Sequence, residues 1–134
     1  MSLAEFGLYA ADHPEIDVEL DTRLAKRAGD GGAVIESRLA GWIVRNEALP
    51  AVTVYLDCPA EVRGARVAGR EGLDVARAVA DNLERERVER DRYLALYGMD
   101  VDDLSVYDLV LDSATLSPAE LTDRVVAEVH RRFG

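Results

Sequence analysis

Apolar and polar positions change period several times along this chain, and each change marks an element. Ser2-Leu3-Ala4-Glu5 has the form of a capping box, a hydroxyl first and a carboxylate three residues on. It predicts a short helix to about Ala10. Pro14 suits a first helical turn, and Ile16, Leu20 and Leu24 then recur at helical spacing to about Ala28. Asp30-Gly31-Gly32 predicts a turn. The short apolar run Ala33-Val34-Ile35-Glu36 predicts a buried strand. Leu39, Trp42 and Ile43 predict a helix over 38–47, ended by Pro50. Val52-Thr53-Val54-Tyr55-Leu56 is rich in β-branched residues and predicts the clearest strand. Asp57-Cys58-Pro59 closes it and opens a helix to about Arg70, which Gly72 breaks. A long helix over 74–97 ends at Gly98. Val106 to Leu111 predicts a third strand. Ser117-Pro118-Ala119-Glu120 combines an N-cap hydroxyl, a proline at the first helical position and a carboxylate at the third, and predicts a last helix to about Phe133.

Strands alternating with helices imply an α/β fold with a parallel sheet, here of about three strands. No repeat or linker divides the chain, so residues 1–134 read as one domain. A chain of this length buries roughly two-thirds of its unfolded surface, enough for an ordinary core. The net charge of −10 argues against indiscriminate nucleic-acid binding. Cys58 is the only cysteine, which excludes an intrachain disulfide and suits a reducing compartment. His13 and His130 lack metal-ligand spacing. No apolar run approaches the ~20 residues of a membrane helix, and no basic-then-apolar leader is visible. The expectation is a soluble cytoplasmic protein with neither nucleic acid nor membrane as partner.

Charge distribution changes this picture more than its sum does. Fifteen of the sixteen basic residues are arginine, and Glu84 to Arg92 carries four arginines and four carboxylates in nine consecutive residues. One reading is a solvated helix laced with i,i+4 pairs such as Asp81–Arg85 and Glu86–Arg90. The other notes that positions 85, 89 and 92 share a helix face, so that Arg85 and Arg92 flank Glu89 and offer planar donor forks to an anion. Ligands of parallel sheets gather beyond the carboxyl ends of strands, which draws in Glu36-Ser37-Arg38, Asp57, and Asp112, Ser113 and Thr115. Asp57 reads equally as a cap for the following helix or as a carboxylate for magnesium or its water shell. A cation at a helix start is unfavourable, so Arg38 points to an anionic partner. Arg63, Arg66 and Arg70 lie at i, i+3 and i+7, near one face. Two arginine rows facing a polyanion suit phosphoryl transfer, where catalysis is mostly positioning and charge neutralisation.

These residues, in this order, resemble the archaeal-type cytidylate kinases of the P-loop nucleoside monophosphate kinase superfamily. Ile35-Glu36-Ser37-Arg38-Leu39-Ala40-Gly41-Trp42 is similar to the segment after their third strand. Tyr55-Leu56-Asp57-Cys58-Pro59-Ala60-Glu61-Val62-Arg63 resembles their fourth strand and lid entry. Arg66, Arg70-Glu71-Gly72 and the 85–92 block resemble the arginine-rich lid. Ser105-Val106-Tyr107-Asp108-Leu109-Val110-Leu111-Asp112-Ser113 resembles the last strand and the loop beside the ATP base. Met1 to Gly7 and His13 to Asp17 resemble the nucleotide-monophosphate-binding helices.

The resemblance implies a three-layer fold and transfer of the ATP γ-phosphoryl to CMP or dCMP with Mg2+. It implies monophosphate-binding helices over about 1–30, a core over 31–62 and 104–134, and a lid over about 63–98. Arg66, Arg85 and Arg92 would surround the transferring group. Arg38, Arg63 and Glu89 would serve the acceptor nucleotide, Arg70 and Ser113 the ATP, and Glu36 the metal. The departure is that no G-x-x-x-x-G-K-[ST] occurs. The chain therefore reads as the larger, C-terminal part of such a kinase, beginning at an internal methionine. It is expected to be inactive alone and prone to self-association through exposed sheet edges. Two other readings stay open: a non-catalytic module that binds nucleotides or a partner, and another nucleotide or small-metabolite kinase.

Overall fold

The computed structural model describes residues 2–134. Helix termini follow local chemistry closely. Helix α1 (Leu3–Asp12) opens on the reciprocal bonds between Ser2 and Glu5. Helix α2 (Pro14–Asp30) begins at its proline. Helix α3 (Ala40–Asn46) starts two residues later than the apolar spacing predicts, because the Leu39 amide bonds the Ser37 hydroxyl at 3.1 Å and holds Arg38 in the preceding turn. Strand β1 (Val54–Asp57) leads into helix α4 (Ala60–Glu71), and helix α5 (Val75–Tyr97) follows. Gly72 and Gly98 end these two helices at φ 67° and 69°, a left-handed conformation that other residues adopt at a cost. A 3₁₀ turn (Leu104–Val106), strand β2 (Leu109–Asp112) and helix α6 (Pro118–Phe133) complete the chain. The capping box at Ser117 and Glu120 is formed as expected.

The sheet corrects the sequence reading. Among the described residues it has two strands, β1 and β2, parallel and in register from Val54–Leu109 to Asp57–Asp112. The run 33–36 forms no strand, and Val34 is fully exposed. β-propensity expresses itself only against a neighbouring strand, and β1 has β2 on one side alone. The run 106–111 splits, because Val106 closes the 3₁₀ turn and only Leu109 onward joins β1. The architecture is mixed α/β, mostly helical, with α4 and α5 forming the crossover between the two parallel strands.

The core lies where α2, α3 and α5 meet. Leu39, Ile43 and Tyr93 are buried there, flanked by Leu24, Ala25, Trp42, Tyr97, Met99 and Val101. Helices α4 and α5 form a tight hairpin, in which a Cβ at Gly64 would run into the Val79 side chain. Among the described residues no helix is long and apolar enough to cross a membrane.

Asp108 ties both strands to α6. Its carboxylate accepts from the Thr53 amide at 2.8 Å and the Thr53 hydroxyl at 3.1 Å, and takes a two-pronged bond from Arg132. Burial works against this charge, but the Thr53 bonds and the Arg132 guanidinium outweigh it and hold the carboxyl below the usual range. Asp108→Ala is expected to lower stability by about 2 kcal/mol, since it orphans the Thr53 amide. A carboxyl whose pKa is lowered by folding stabilises above its unfolded pKa, so this contribution is lost as pH falls through the folded value. Acid unfolding followed by circular dichroism should begin at higher pH in Asp108→Asn than in wild type.

Candidate functional site

Helix α4 presents Arg63, Arg66 and Arg70 along one side, as their spacing predicts, and α5 presents Arg85 opposite. Arg38 enters from the turn before α3. All five line one open cleft of about 560 Å³, together with Ala65, Val67, Gly69, Asn82 and a single carboxylate, Glu86. Five guanidiniums and one carboxylate make a cationic surface on a chain whose net charge is −10. Like charges held this close repel, and an anion between them relieves the repulsion.

The donors are partly committed. Arg63 pairs with Glu86 across the helical hairpin. Arg66 donates to the Ser113 carbonyl at 2.8 Å and also approaches the Cys58 sulfur at 3.8 Å. Arg38 meets Glu89 at 3.4 Å. The Nε groups of Arg63 and Arg85 are buried, yet neither has a hydrogen-bond acceptor in the protein. A buried guanidinium N–H without a partner is costly. Two of them beside one cleft make this arginine cluster the candidate site on the chain.

The expected face of α5 exists, but its members do different things. Arg85 lines the cleft and Glu89 holds Arg38, whereas Arg92 lies behind the lining. Its guanidinium is 2.8 Å from Asp17 of α2, with both side chains about one-tenth exposed or less. It also donates to the Gly7 carbonyl of α1 at 3.4 Å and to the Tyr93 hydroxyl at 3.2 Å. The i,i+4 pairs expected for a solvated helix are replaced by others. Asp81 pairs with Arg77, Glu86 with Arg63, and Arg90 with Asp102. Arg87, between Glu84 and Asp91, and the exposed i,i+4 pair Arg77–Asp81 keep the solvated pattern of that reading. Glu84 accordingly titrates below its usual range, through its bond from Arg87 and then the Arg87 charge.

The strand ends supply a scaffold. Ser113 donates from both amide and hydroxyl to the Asp57 carbonyl, at 2.8 and 3.0 Å, closing β2 onto β1. The Asp112 carboxylate accepts from the Ala114 amide and the Thr115 hydroxyl, and these bonds lower its pKa. Asp57 does not cap α4, whose N-cap is Pro59; its carboxylate takes the Cys58 amide instead. Glu36 is exposed on the irregular segment before α3. Among the described residues no group of three His, Cys, Asp or Glu gathers to hold a metal ion.

The spacing of charges along single helices does not reveal Glu86 or Asp17, because both pair across helices. A signal for Asp17 does exist, since it shares a face of α2 with Leu24, seven residues on, which packs on the core.

The model of a family described as cytidylate kinase-like matches residues 6–115. The chain is 51% identical over 118 residues to a cytidylate kinase of Pyrococcus horikoshii, covering 88% of this chain and 60% of that protein. It is 44% identical over 115 residues to one of Methanocaldococcus jannaschii, covering 85% and 65%. It is 36% identical over 133 residues to one of Staphylothermus marinus, covering 99% and 73%. The chain thus spans about three-fifths of the length of the Pyrococcus relative. No solved structure matches it.

Proposed function

This chain belongs to the cytidylate kinase-like family, and from that premise we propose that it carries the arginine-gripping part of a nucleoside monophosphate kinase. The reaction is transfer of the ATP γ-phosphoryl to CMP or dCMP. The observation that carries the reading is the five-arginine cleft, with the Nε groups of Arg63 and Arg85 buried beside it and unpartnered.

In this reading residues 63–98 are the lid and α1 with α2 the monophosphate-binding helices, with 31–62 and 104–134 as core. Arg66 and Arg85 hold the transferring phosphoryl between the two helices. Such a transition state is loose, with charge spread over the equatorial oxygens, so fixed guanidiniums aimed at them lower the barrier without covalent chemistry. Arg92, expected from its helix face to join them, stands behind the lining against Asp17 and the Gly7 carbonyl and supports α5 rather than touching the phosphoryl group. Arg38, Arg63 and Glu89 bind the acceptor nucleotide. Glu89 and Glu86 keep Arg38 and Arg63 in place between turnovers, and Arg70 and Ser113 face ATP. Magnesium carried by ATP would neutralise charge on the triphosphate. Glu36 is the single carboxylate assigned near it, and one exposed carboxylate is not a metal site by itself.

The absence of a G-x-x-x-x-G-K-[ST] loop within these residues favours binding over turnover by the 134-residue chain. Purified chain is expected to bind CMP by calorimetry but to give no CMP-dependent ADP formation above background. Turnover at an ordinary kinase rate, ~1–100 s⁻¹, contradicts the second expectation. Failure to bind CMP, or equal binding of AMP and CMP, contradicts the acceptor assignment.

A further inference from the structure

Among the described residues one carboxylate is buried, that of Asp17 at 6% exposure, and nothing above assigns it a role. It faces Arg92 at 2.8 Å, yet neither Asp17 Oδ2 nor Arg92 Nε makes a well-aligned hydrogen bond. Burying two charges costs desolvation that only good geometry and full hydrogen bonding recover, and apolar residues of similar volume often serve stability as well. Stability alone therefore does not account for this pair.

Its position in the fold supplies another reason. Through Arg92 the pair joins three helices: Asp17 of α2, the Gly7 carbonyl of α1 and α5 itself. Helix α1 comes close to α5 at Gly7, where a Cβ would sit 3.7 Å from Val88 and 3.9 Å from the Arg92 guanidinium. Asp21, one turn after Asp17, cannot replace it, because it takes the Tyr97 hydroxyl at 2.5 Å. Three residues before Arg92 on α5, Glu89 holds the cleft residue Arg38. One helix face thus runs from the arginine cleft to a buried counter-ion on the α1–α2 pair.

Building on the nucleotide-binding reading above, in which α1 and α2 take the nucleoside, we propose that Asp17 is a positioning residue: it fixes Arg92 and so holds α1 and α2 against α5, which carries one wall of the arginine cleft. The phosphate grip itself belongs to Arg63, Arg66 and Arg85 and does not need Asp17. The two ends of a nucleoside monophosphate therefore depend on different residues.

Two probes separate the ends: CMP, which needs both, and pyrophosphate, which needs the cleft alone. Asp17→Asn is expected to weaken CMP binding by about tenfold or more, with pyrophosphate affinity within about twofold of wild type. Asp17→Glu, which keeps the charge, is expected to recover part of the CMP affinity. Unchanged CMP affinity in Asp17→Asn overturns the proposal, and so does an equal loss for both probes. Should Asp17→Asn not fold, hydrogen exchange on wild type decides. Saturating CMP is expected to slow the α1 and α2 amides by about tenfold or more while pyrophosphate leaves them unchanged, and equal or absent protection overturns the proposal. Arg85→Ala tests the underlying reading independently: it should weaken both probes. If it weakens neither, the cleft assignment fails, whatever Asp17 does.

Discussion

Arg85→Ala, in the chain joined to a Walker-type loop, is expected to lower kcat by about 10³-fold with little change in KM for CMP. A single arginine placed on a transferring phosphoryl group contributes on that scale, and an interaction strongest in the transition state appears in kcat rather than KM. Arg85 is suited to this because its Nε is buried beside the cleft and has no protein acceptor. Arg87, two residues away, is the internal control. It is exposed and spends its donors on Glu84 and Asp91, so Arg87→Ala should change kcat by no more than about twofold. Arg85→Lys should restore only part of the rate, since an ammonium lacks the planar fork. Steady-state kinetics on the three variants, with thermal unfolding as a check, decide the matter. Equal rates for Arg85→Ala and Arg87→Ala would return the whole block to an ordinary solvated helix.

The second large effect is on folding. Leu39→Ala is expected to cost about 3 kcal/mol, the range found when a fully buried leucine is truncated. Leu39 is 1% exposed and sits among Ile43, Tyr93 and Trp42. It also follows Arg38 directly, and its amide is bonded to Ser37, so the core contact and the placement of Arg38 in the cleft are one local feature. Stability per residue in small domains is slight, and a loss of this size should lower Tm by roughly 10 °C. A scan in which Leu39→Ala melts with wild type would mean that the α2–α3–α5 contact is not the core.

Legibility in the sequence divides along the range of the interactions concerned. Helix ends depend on neighbours three or four residues away, so Ser2 with Glu5, Ser117 with Glu120, and the stops at Gly72 and Gly98 are all legible. The convergence of Arg63, Arg66 and Arg70 is legible for the same reason, because helical spacing alone puts them on one side. The run at 33–36 misleads, since its apolar residues state a preference that only a partner strand can satisfy. Charge partners mislead most. Glu86 reads as the mate of Arg90 along α5 but is taken by Arg63 from α4. Arg92 reads as a member of the open arginine row but is drawn behind it by Asp17, 75 positions earlier in the chain. Such pairings are set by how helices pack, and no local pattern carries them.

The arginine cleft stands or falls on a calorimetric titration of pyrophosphate into the 134-residue chain at low and at raised salt. Saturable one-site binding is expected, weakening steeply as salt rises because several guanidiniums share the anion, lost in Arg85→Ala and kept in Arg87→Ala. Binding that is absent, or that is the same in Arg85→Ala as in wild type, would contradict a phosphoryl site between α4 and α5.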